Sequence, residues 1–281
     1  MSDPRMSDPR MSDSSMTERS VTQLDVPQLI TTQIIDGVCH IGFNRPDKKN
    51  SITAAMYQIM ADALTAGADD NTVRAFLFHG SDVCFSAGND LEDFLKNPPN
   101  GDSSPVFQFL HALSTSPKPL VAAVAGRAVG VGMTMLMHCD LVYAADTAKL
   151  STPFAQLGLC PEAASSYLLP AIAGHQRAAE AFLLGESVDA HQAQAMGLVN
   201  KVLSIDQLMP YALAQCAKLV ALPANSIRTT KMLLKKGNTE AIAQRMQDEG
   251  VLFRAMLSGP EAREAFTAFL TKRAPDFKQF A

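Results

Sequence analysis

The first regular pattern in the chain is a pair of β-rich runs in which apolar and polar residues are interleaved. The runs are LITTQII at 29–35 and VCHIGF at 38–43, and Asp36-Gly37 stands between them. Asp-Gly is favoured in the two-residue turns that join antiparallel strands. The sequence therefore predicts that the folded part starts with a β-hairpin.

Helical and strand patterns then alternate along the chain. Thr53 can cap a helix that runs to about Ala68, because Met56, Met60 and Leu64 fall on one helical face. Further strands are predicted at 74–80, 119–126, 140–145 and 198–203, with helical stretches near 107–113 and 130–137. The pattern after Leu203 is almost purely helical. We therefore predict an α/β core over 26–204 and a helical C-terminal subdomain over 205–281.

Composition narrows the class of protein. The chain has 281 residues, of which 47% are hydrophobic, so it can bury one large core or two ordinary ones. Its formal net charge of -4 gives no general attraction to nucleic acid or to an anionic membrane. The five cysteines are widely spaced and never form C-x-x-C, which suggests neither a disulfide framework nor a metal site.

The two ends and the most apolar stretch bear on location. Residues 1–25 begin with a repeated MSDPR and have a composition typical of a disordered tail without a signal peptide. Residues 278–281 differ from an S-K-L-type peroxisomal signal. Four residues interrupt the apolar stretch 121–136: Gly126, Arg127, Gly130 and Gly132. We therefore expect a soluble, cytoplasmic protein without a membrane span.

Two segments of small residues each follow a predicted strand and open onto a predicted helix. The first is Cys84–Leu91, in which Asp90 can cap the next helix, and the second is Gly126–Met133. Small side chains let a ligand approach backbone amides, and the first amides of a helix are unpaired. Neither segment matches a P-loop or a dinucleotide-binding motif. The two segments either converge on one ligand oxygen or serve only turns and close packing.

A single carboxylate stands out in the segment 152–167. Glu162 follows Pro161 and precedes an apolar helix, so it either complements the helix N-terminus or lies in a pocket. An apolar pocket, for which Leu157 and Leu159 are candidates, would raise the pKa of the Glu162 carboxyl. The carboxyl could then take up and return a proton near neutral pH.

These three segments, in this order, resemble the crotonase (enoyl-CoA hydratase/isomerase) superfamily, and the resemblance extends from about Gln28 to Lys278. NRPDKKNS at 44–51 resembles the N-R-P-x-x-x-N-A/S element, and FSAGNDL at 85–91 resembles the F-x-A-G-x-D-L motif. Gly185, Ala190, Ala193 and Gly197-Leu198-Val199 match a further family run at the same spacing. The resemblance implies a crotonase-type ββα superhelix whose helical C-terminal subdomain forms a homotrimer or a dimer of trimers.

The resemblance also implies a substrate and a site. The backbone amides of Ala87 and Val131 would form an oxyanion hole for the thioester carbonyl of an acyl-CoA. Further substrate contacts are expected at Ser86, Gly88, Asn89, Asp90, Gly130 and Phe154. Lys48, Lys49 and Lys272 are either contacts for the CoA phosphates or solvated surface charges. Coenzyme A arrives as part of the substrate, and we expect no other cofactor and no metal.

The reaction is suggested by the acids around that site. Hydratases of the superfamily have two glutamates where this chain has Thr134 and Phe154, which disfavours ordinary hydration. Peroxisomal-type Δ3,Δ2-enoyl-CoA isomerases are similar around T-P-F-x-x-L-G-x-x-P-E, where the Glu is catalytic, and Glu162 occupies that place. The resemblance thus implies isomerisation of 3-enoyl-CoA to 2-enoyl-CoA in fatty-acid β-oxidation or a related pathway. A hydratase, another acyl-CoA lyase or hydrolase, and a non-catalytic CoA-binding scaffold remain alternatives.

Overall fold

A computed structural model describes residues 28–101 and 103–280, so the tail predicted over 1–25 lies outside the described residues. The strands are β1 Ile30–Ile35, β2 Val38–Phe43, β3 Ala75–His79, β4 Cys84–Ser86, β5 Leu120–Val124, β6 Arg127–Val129, β7 Leu141–Ala145, β8 Lys149–Ser151, β9 Val188–Asp189 and β10 Lys201–Leu203. The helices are α1 Ala54–Asp69, α2 Leu91–Lys96, α3 Pro105–Thr115, α4 Val131–Thr134, α5 Ser165–Ala173, α6 His175–Leu184, α7 Ala190–Ala195, α8 Ile205–Ala221, α9 Ala224–Lys235, α10 Thr239–Leu257 and α11 Pro260–Leu270. Four short 3-10 turns lie at Pro46–Lys48, Met135–His138, Ala155–Leu157 and Phe277–Phe280.

The strands form two sheets. The larger has the order β1-β2-β3-β5-β7-β10 and is parallel except for the β1–β2 pair. The smaller has the order β4-β6-β8-β9 and is antiparallel only at β8–β9. From β3 to β8, successive strands alternate between the two sheets, and helices follow each pair. This repetition confirms the predicted ββα architecture.

The hairpin and the first helix form where the sequence predicts them. Ile35 pairs with Val38 across the turn, and Asp36 and Gly37 have φ values of 47° and 79°, as a two-residue hairpin turn requires. Thr53 caps α1 through its hydroxyl, which accepts a hydrogen bond from the Met56 amide at 3.4 Å. Both predictions are confirmed.

The larger sheet is buried on both faces. Phe76 and Phe78 of β3 point into the main core with α1 and α3, whereas Leu77 belongs to a second apolar cluster beneath α8. This alternation follows from the two-residue period of a strand, and burial on both sides explains why β3 is apolar throughout. Because α8 packs on the sheet, the predicted boundary at 204/205 marks the end of the strands and not a detached domain.

The later helices α9, α10 and α11 extend beyond this core. Phe253 of α10 and Phe266 of α11 pack with Phe94 and Phe154 in a third apolar cluster. Met232, Leu233, Leu234 and Leu252, which we expect at an oligomer interface, are exposed in the single chain, and that interface stays a prediction. No helix in the described ranges is both long and apolar enough to cross a bilayer.

Candidate active site

The two segments of small residues lie side by side, because β4 and β6 pair in parallel. Their carboxyl ends therefore reach the same edge of the smaller sheet. Gly88, at φ 86°, lies so close to the second segment that a Cβ there would stand 2.7 Å from the Val129 carbonyl oxygen. Only glycine permits this approach. Both segments line one cavity of about 490 Å³.

Each of the two segments of small residues contributes a free backbone amide to this cavity. The Val131 and Asn89 N–H groups donate to no acceptor within the part of the chain that the structure describes. Next to Asn89, Ile52 donates to the Gly88 carbonyl at 2.8 Å and accepts from the Asp90 amide at 2.9 Å. Backbone groups alternate in direction along an extended segment, so the Asn89 N–H faces away from Ile52. Both segments therefore supply a free donor beside the cavity.

The Ala87 amide does not fit its expected role as an oxyanion donor. It donates to the Lys49 carbonyl at 3.0 Å and is therefore already paired. The Asn89 amide, two residues further along the same loop, is the free one. The Asn89 side chain is held in place by the Tyr57 hydroxyl, which donates to its Oδ1 at 2.5 Å.

The Glu162 side chain lies in a smaller, inner cavity of about 30 Å³. Asn89, Phe94 and Phe253 line both cavities, so the inner one adjoins the outer one. Glu162 is 9% exposed, and its Oε1 accepts a hydrogen bond from the Thr134 hydroxyl at 2.5 Å. The second of the two roles left open by the sequence, an acid in an apolar pocket, is the one observed.

The first role, capping of the following helix, belongs to another acid. Helix α5 begins at Ser165 with Ala164 as its N-cap and without a side-chain cap from the preceding residues. The Ser166 amide instead donates to Oε1 of Glu249, from α10, at 2.9 Å. Nothing in the sequence signals this contact, since Glu249 is an acid within a helical pattern.

Burial makes Glu162 a weak acid. Loss of hydration raises the pKa of the Glu162 carboxyl from 4.5 to about 8, the Thr134 hydrogen bond opposes the rise, and the charge of Glu249 adds to it. The charge of Glu162 in turn acts on Tyr57, whose pKa is raised first by burial and second by Glu162. A carboxyl with such a pKa can both accept and return a proton near neutral pH.

Six other residues predicted for the site line the outer cavity: Lys48, Lys49, Gly88, Asp90, Gly130 and Phe154. Asp90 also caps α2 by accepting from the Asp93 amide, and it forms an ion pair with Arg45 at 2.6 Å. The opposite wall comes from α11 through Phe266, Phe269 and Leu270.

Two predicted contacts are not brought to either cavity. Ser86 is fully buried, and its hydroxyl donates to the Asn50 carbonyl and accepts from the Gly88 amide, so it shapes the loop instead of facing a ligand. Lys272 is exposed beyond the end of α11 and does not line the cavity, although Phe269 and Leu270 just before it do.

Comparison with known proteins agrees with this architecture. The family model described as enoyl-CoA hydratase/isomerase matches residues 33–280. Enoyl-CoA delta isomerase 2 of Rattus norvegicus is 37% identical over 243 residues, which cover 84% of this chain and 62% of that protein. The 2,3-dehydroadipyl-CoA hydratase of Escherichia coli (strain K12) is 32% identical over 238 residues, covering 84% of this chain and 92% of that protein. The chain thus spans less than two thirds of the rat relative but nearly all of the bacterial one.

Solved structures give the same result. An enoyl-CoA hydratase/isomerase from Pseudoalteromonas atlantica T6c superposes with a TM-score of 0.86 at 38% identity, covering 89% of this chain and 100% of that one. OdaA of Pseudomonas aeruginosa superposes with a TM-score of 0.85 at 41% identity, covering 86% and 99%. The chain therefore belongs to the enoyl-CoA hydratase/isomerase family, that is, to the crotonase superfamily.

Proposed function

We propose that this protein is a Δ3,Δ2-enoyl-CoA isomerase that moves the double bond of a 3-enoyl-CoA to the 2 position. The observation that carries the proposal is one buried carboxyl, Glu162, in a cavity that adjoins free backbone amides of both loops. Burial raises the pKa of this carboxyl to about 8. Among the described residues that line the inner cavity, Glu162 is the only titratable one. A reaction that needs a single proton carrier fits this site.

In this mechanism the Asn89 and Val131 amides bind the thioester oxygen. Glu162, ionised, removes a proton from C2 of the substrate, and the resulting dienolate places negative charge on that oxygen, where the two amides stabilise it. The protonated Glu162 then donates the same proton to C4, so the double bond moves and no net proton is released. Phe94, Phe107 and Phe253 around the acid keep water away from the dienolate.

Hydration fits the site less well. Addition of water calls for groups that position the water and supply a proton. The Thr134 hydroxyl is committed to Glu162, and the Phe154 ring packs against Phe182 and Phe253. Neither position supplies a second acid. The hydratase activity that the name of the E. coli relative states is therefore the alternative to be assayed in parallel.

The rest of the substrate follows from the cavity walls. We place the CoA phosphates near Lys48 and Lys49, at the polar end of the outer cavity, and the acyl chain toward Phe107 and Met246 beyond Glu162. Assembly as a homotrimer or a dimer of trimers is part of the same proposal, through the exposed apolar residues of α9 and α10, and light scattering in solution tests it. A cytoplasmic location remains a prediction from the sequence.

The deciding experiment compares wild type with Glu162→Gln on 3-hexenoyl-CoA, with hydration of crotonyl-CoA measured beside it. We expect wild type to isomerise and the variant to lose on the order of 10²- to 10⁴-fold in kcat. Glu186→Gln, an exposed glutamate away from both cavities, is the matched control and keeps wild-type activity. Normal isomerisation by Glu162→Gln contradicts the proposal. Hydration without isomerisation identifies a hydratase, and CoA binding without turnover identifies a scaffold.

A further inference from the structure

The backbone that follows Glu162 adopts an unfavourable conformation. Ala163 and Ala164 both lie in the left-handed region, at φ 61° and 55°. A non-glycine residue is strained in this region and keeps the conformation only where surrounding contacts hold it. The turn is nevertheless essential to the site, because it separates the buried Glu162 carboxyl from the start of α5 at Ser165.

Contacts on both sides hold this turn. From the core, His138 Nε2 lies 2.8 Å from the Ala163 carbonyl oxygen. From α10, Glu249 accepts a hydrogen bond from the Ser166 amide at 2.9 Å, and the Ala164 N–H also stabilises its charged form. One turn earlier on the same helix, Arg245 donates to the Ser166 hydroxyl at 3.0 Å. Helix α10 is thus hydrogen-bonded to the segment that follows Glu162.

Glu249 is an unusual residue for this position. It is 5% exposed, and its Oε2 has no hydrogen-bond partner among the described residues. A buried carboxylate with an unsatisfied oxygen destabilises a fold. A cap for α5 alone does not require this cost, since an uncharged acceptor would serve.

We propose, on the basis of the proposed function, that Glu249 is a positioning residue that holds the left-handed turn at 163–164 and thereby directs the Glu162 carboxyl into the inner cavity. Without this acceptor the Ser166 amide loses its partner, and the turn relaxes toward an ordinary backbone conformation. The Glu162 carboxyl then leaves the apolar cavity and becomes hydrated.

The charged groups around Glu162 make this displacement detectable as a change in its pKa. Glu162 faces Tyr57, Cys160 and Glu249, and Glu249 faces Cys160 and, on its own helix, Arg245. The like charge of Glu249 raises the pKa of Glu162, and burial raises it more. Loss of the Glu249 charge lowers the pKa of Glu162. Exposure of the Glu162 carboxyl to water lowers that pKa further.

Three variants separate charge from geometry. Glu249→Gln keeps an acceptor oxygen for the Ser166 amide but removes the charge, whereas Glu249→Leu fills a similar volume and removes both. Asp248→Asn, the exposed neighbour on α10, is the matched control. We expect Glu249→Leu to lose on the order of 10- to 100-fold in kcat with little change in KM, because the acid is displaced. Glu249→Gln keeps most of the wild-type kcat, and the acid limb of its kcat/KM profile lies at lower pH than in wild type. Asp248→Asn behaves as wild type.

An infrared titration of the Glu162 carboxyl, identified by its absence in Glu162→Gln, tests the inference without turnover. The pH at which Glu162 is half titrated is lower in Glu249→Gln than in wild type. It is lower still in Glu249→Leu, if the turn relaxes. Equal midpoints in the two variants, or wild-type kcat in a folded Glu249→Leu, overturn the positioning role. If wild type does not isomerise 3-enoyl-CoA, the proposed function fails, and this titration alone decides the role of Glu249. If Glu249→Leu does not fold, Glu249→Ala takes its place.

Discussion

Two clusters of buried ionisable groups tie the later helices to the core, and they are built in opposite ways. In the first, Lys231 of α9 donates to Asp140 Oδ2 at 2.7 Å and to the Lys118 carbonyl at 2.6 Å, while the Leu120 amide donates to the same Asp140 oxygen. In the second, Glu162 has a single donor among the described residues, Thr134, and faces another acid, Glu249.

The comparison distinguishes a structural charge from a reactive one. Burial moves the pKa of Lys231 down to about 8 and that of Glu162 up to about 8. For Lys231 the attraction of Asp140 opposes the effect of burial, and hydrogen bonds fix the pair in place. Within residues 28–101 and 103–280, no opposite charge faces Glu162, so it can change protonation state at little cost near neutral pH. A matched buried charge is costly to break because its partner is left uncompensated, and an unmatched one is a candidate for chemistry.

The largest effect is expected from breaking the matched cluster. Lys231→Met leaves Asp140 and the Lys118 carbonyl without their donor, and we expect the free energy of unfolding to fall by about 3–5 kcal/mol. Urea denaturation measures the loss. Lys236→Met is the control, because Lys236 is an exposed lysine directly after α9. This variant should change the free energy of unfolding by less than about 0.5 kcal/mol. Equal losses in both variants would contradict the comparison.

In the unmatched cluster, removal of the Glu162 charge is expected to raise the free energy of unfolding at high pH instead of lowering it. Because the pKa of Glu162 is about 8 in the fold against an ordinary 4.5, the unfolded chain releases this proton first as pH rises. The wild-type fold therefore loses stability between pH 4.5 and 8, and Glu162→Gln does not incur this loss. Relative to wild type, the variant should gain about 2–4 kcal/mol between pH 5 and pH 9, measured by urea denaturation at both pH values. A difference that stays constant with pH would show that the carboxyl is not buried in this way.

A smaller change alters the protonation of Glu162 without removing the acid. Thr134→Val deletes the one hydrogen bond that favours the charged form of Glu162, so the pKa of Glu162 rises further. The acid limb of kcat/KM should move to higher pH, and activity at pH 7 should fall by up to about tenfold. A pH-rate profile on 3-hexenoyl-CoA measures the movement, with the exposed Thr147→Val as control. A limb that stays in place would mean that Thr134 does not control this protonation.

The parts of the fold that sequence predicts are those with a local cause. Asp36-Gly37 determines the hairpin turn, and Thr53 together with an apolar face determines α1. The strands of the smaller sheet have only two or three residues each, which is too short for a two-residue period to be recognised. Their pairing depends on contacts between distant segments.

The same division applies to the site. Glu162 could be identified as a candidate because it is the single acid in an apolar segment, but its role stayed open until its neighbours were known. The motif around Ala87 indicates a loop of bare amides and does not say which of them is already paired; the Lys49 carbonyl, from another loop, decides that. Glu249 is invisible to local pattern, because only packing of α10 against the start of α5 buries it.

Helix α11 has a consequence for the order in which the protein becomes competent during synthesis. Ribosomes deliver the chain from its N-terminus, so both loops and Glu162 emerge before Phe266, Phe269 and Leu270, which form the far wall of the outer cavity. A nascent chain that has already formed both loops and buried Glu162 therefore still lacks one wall of the outer cavity. The site acquires its chemistry first and its capacity to retain a ligand last.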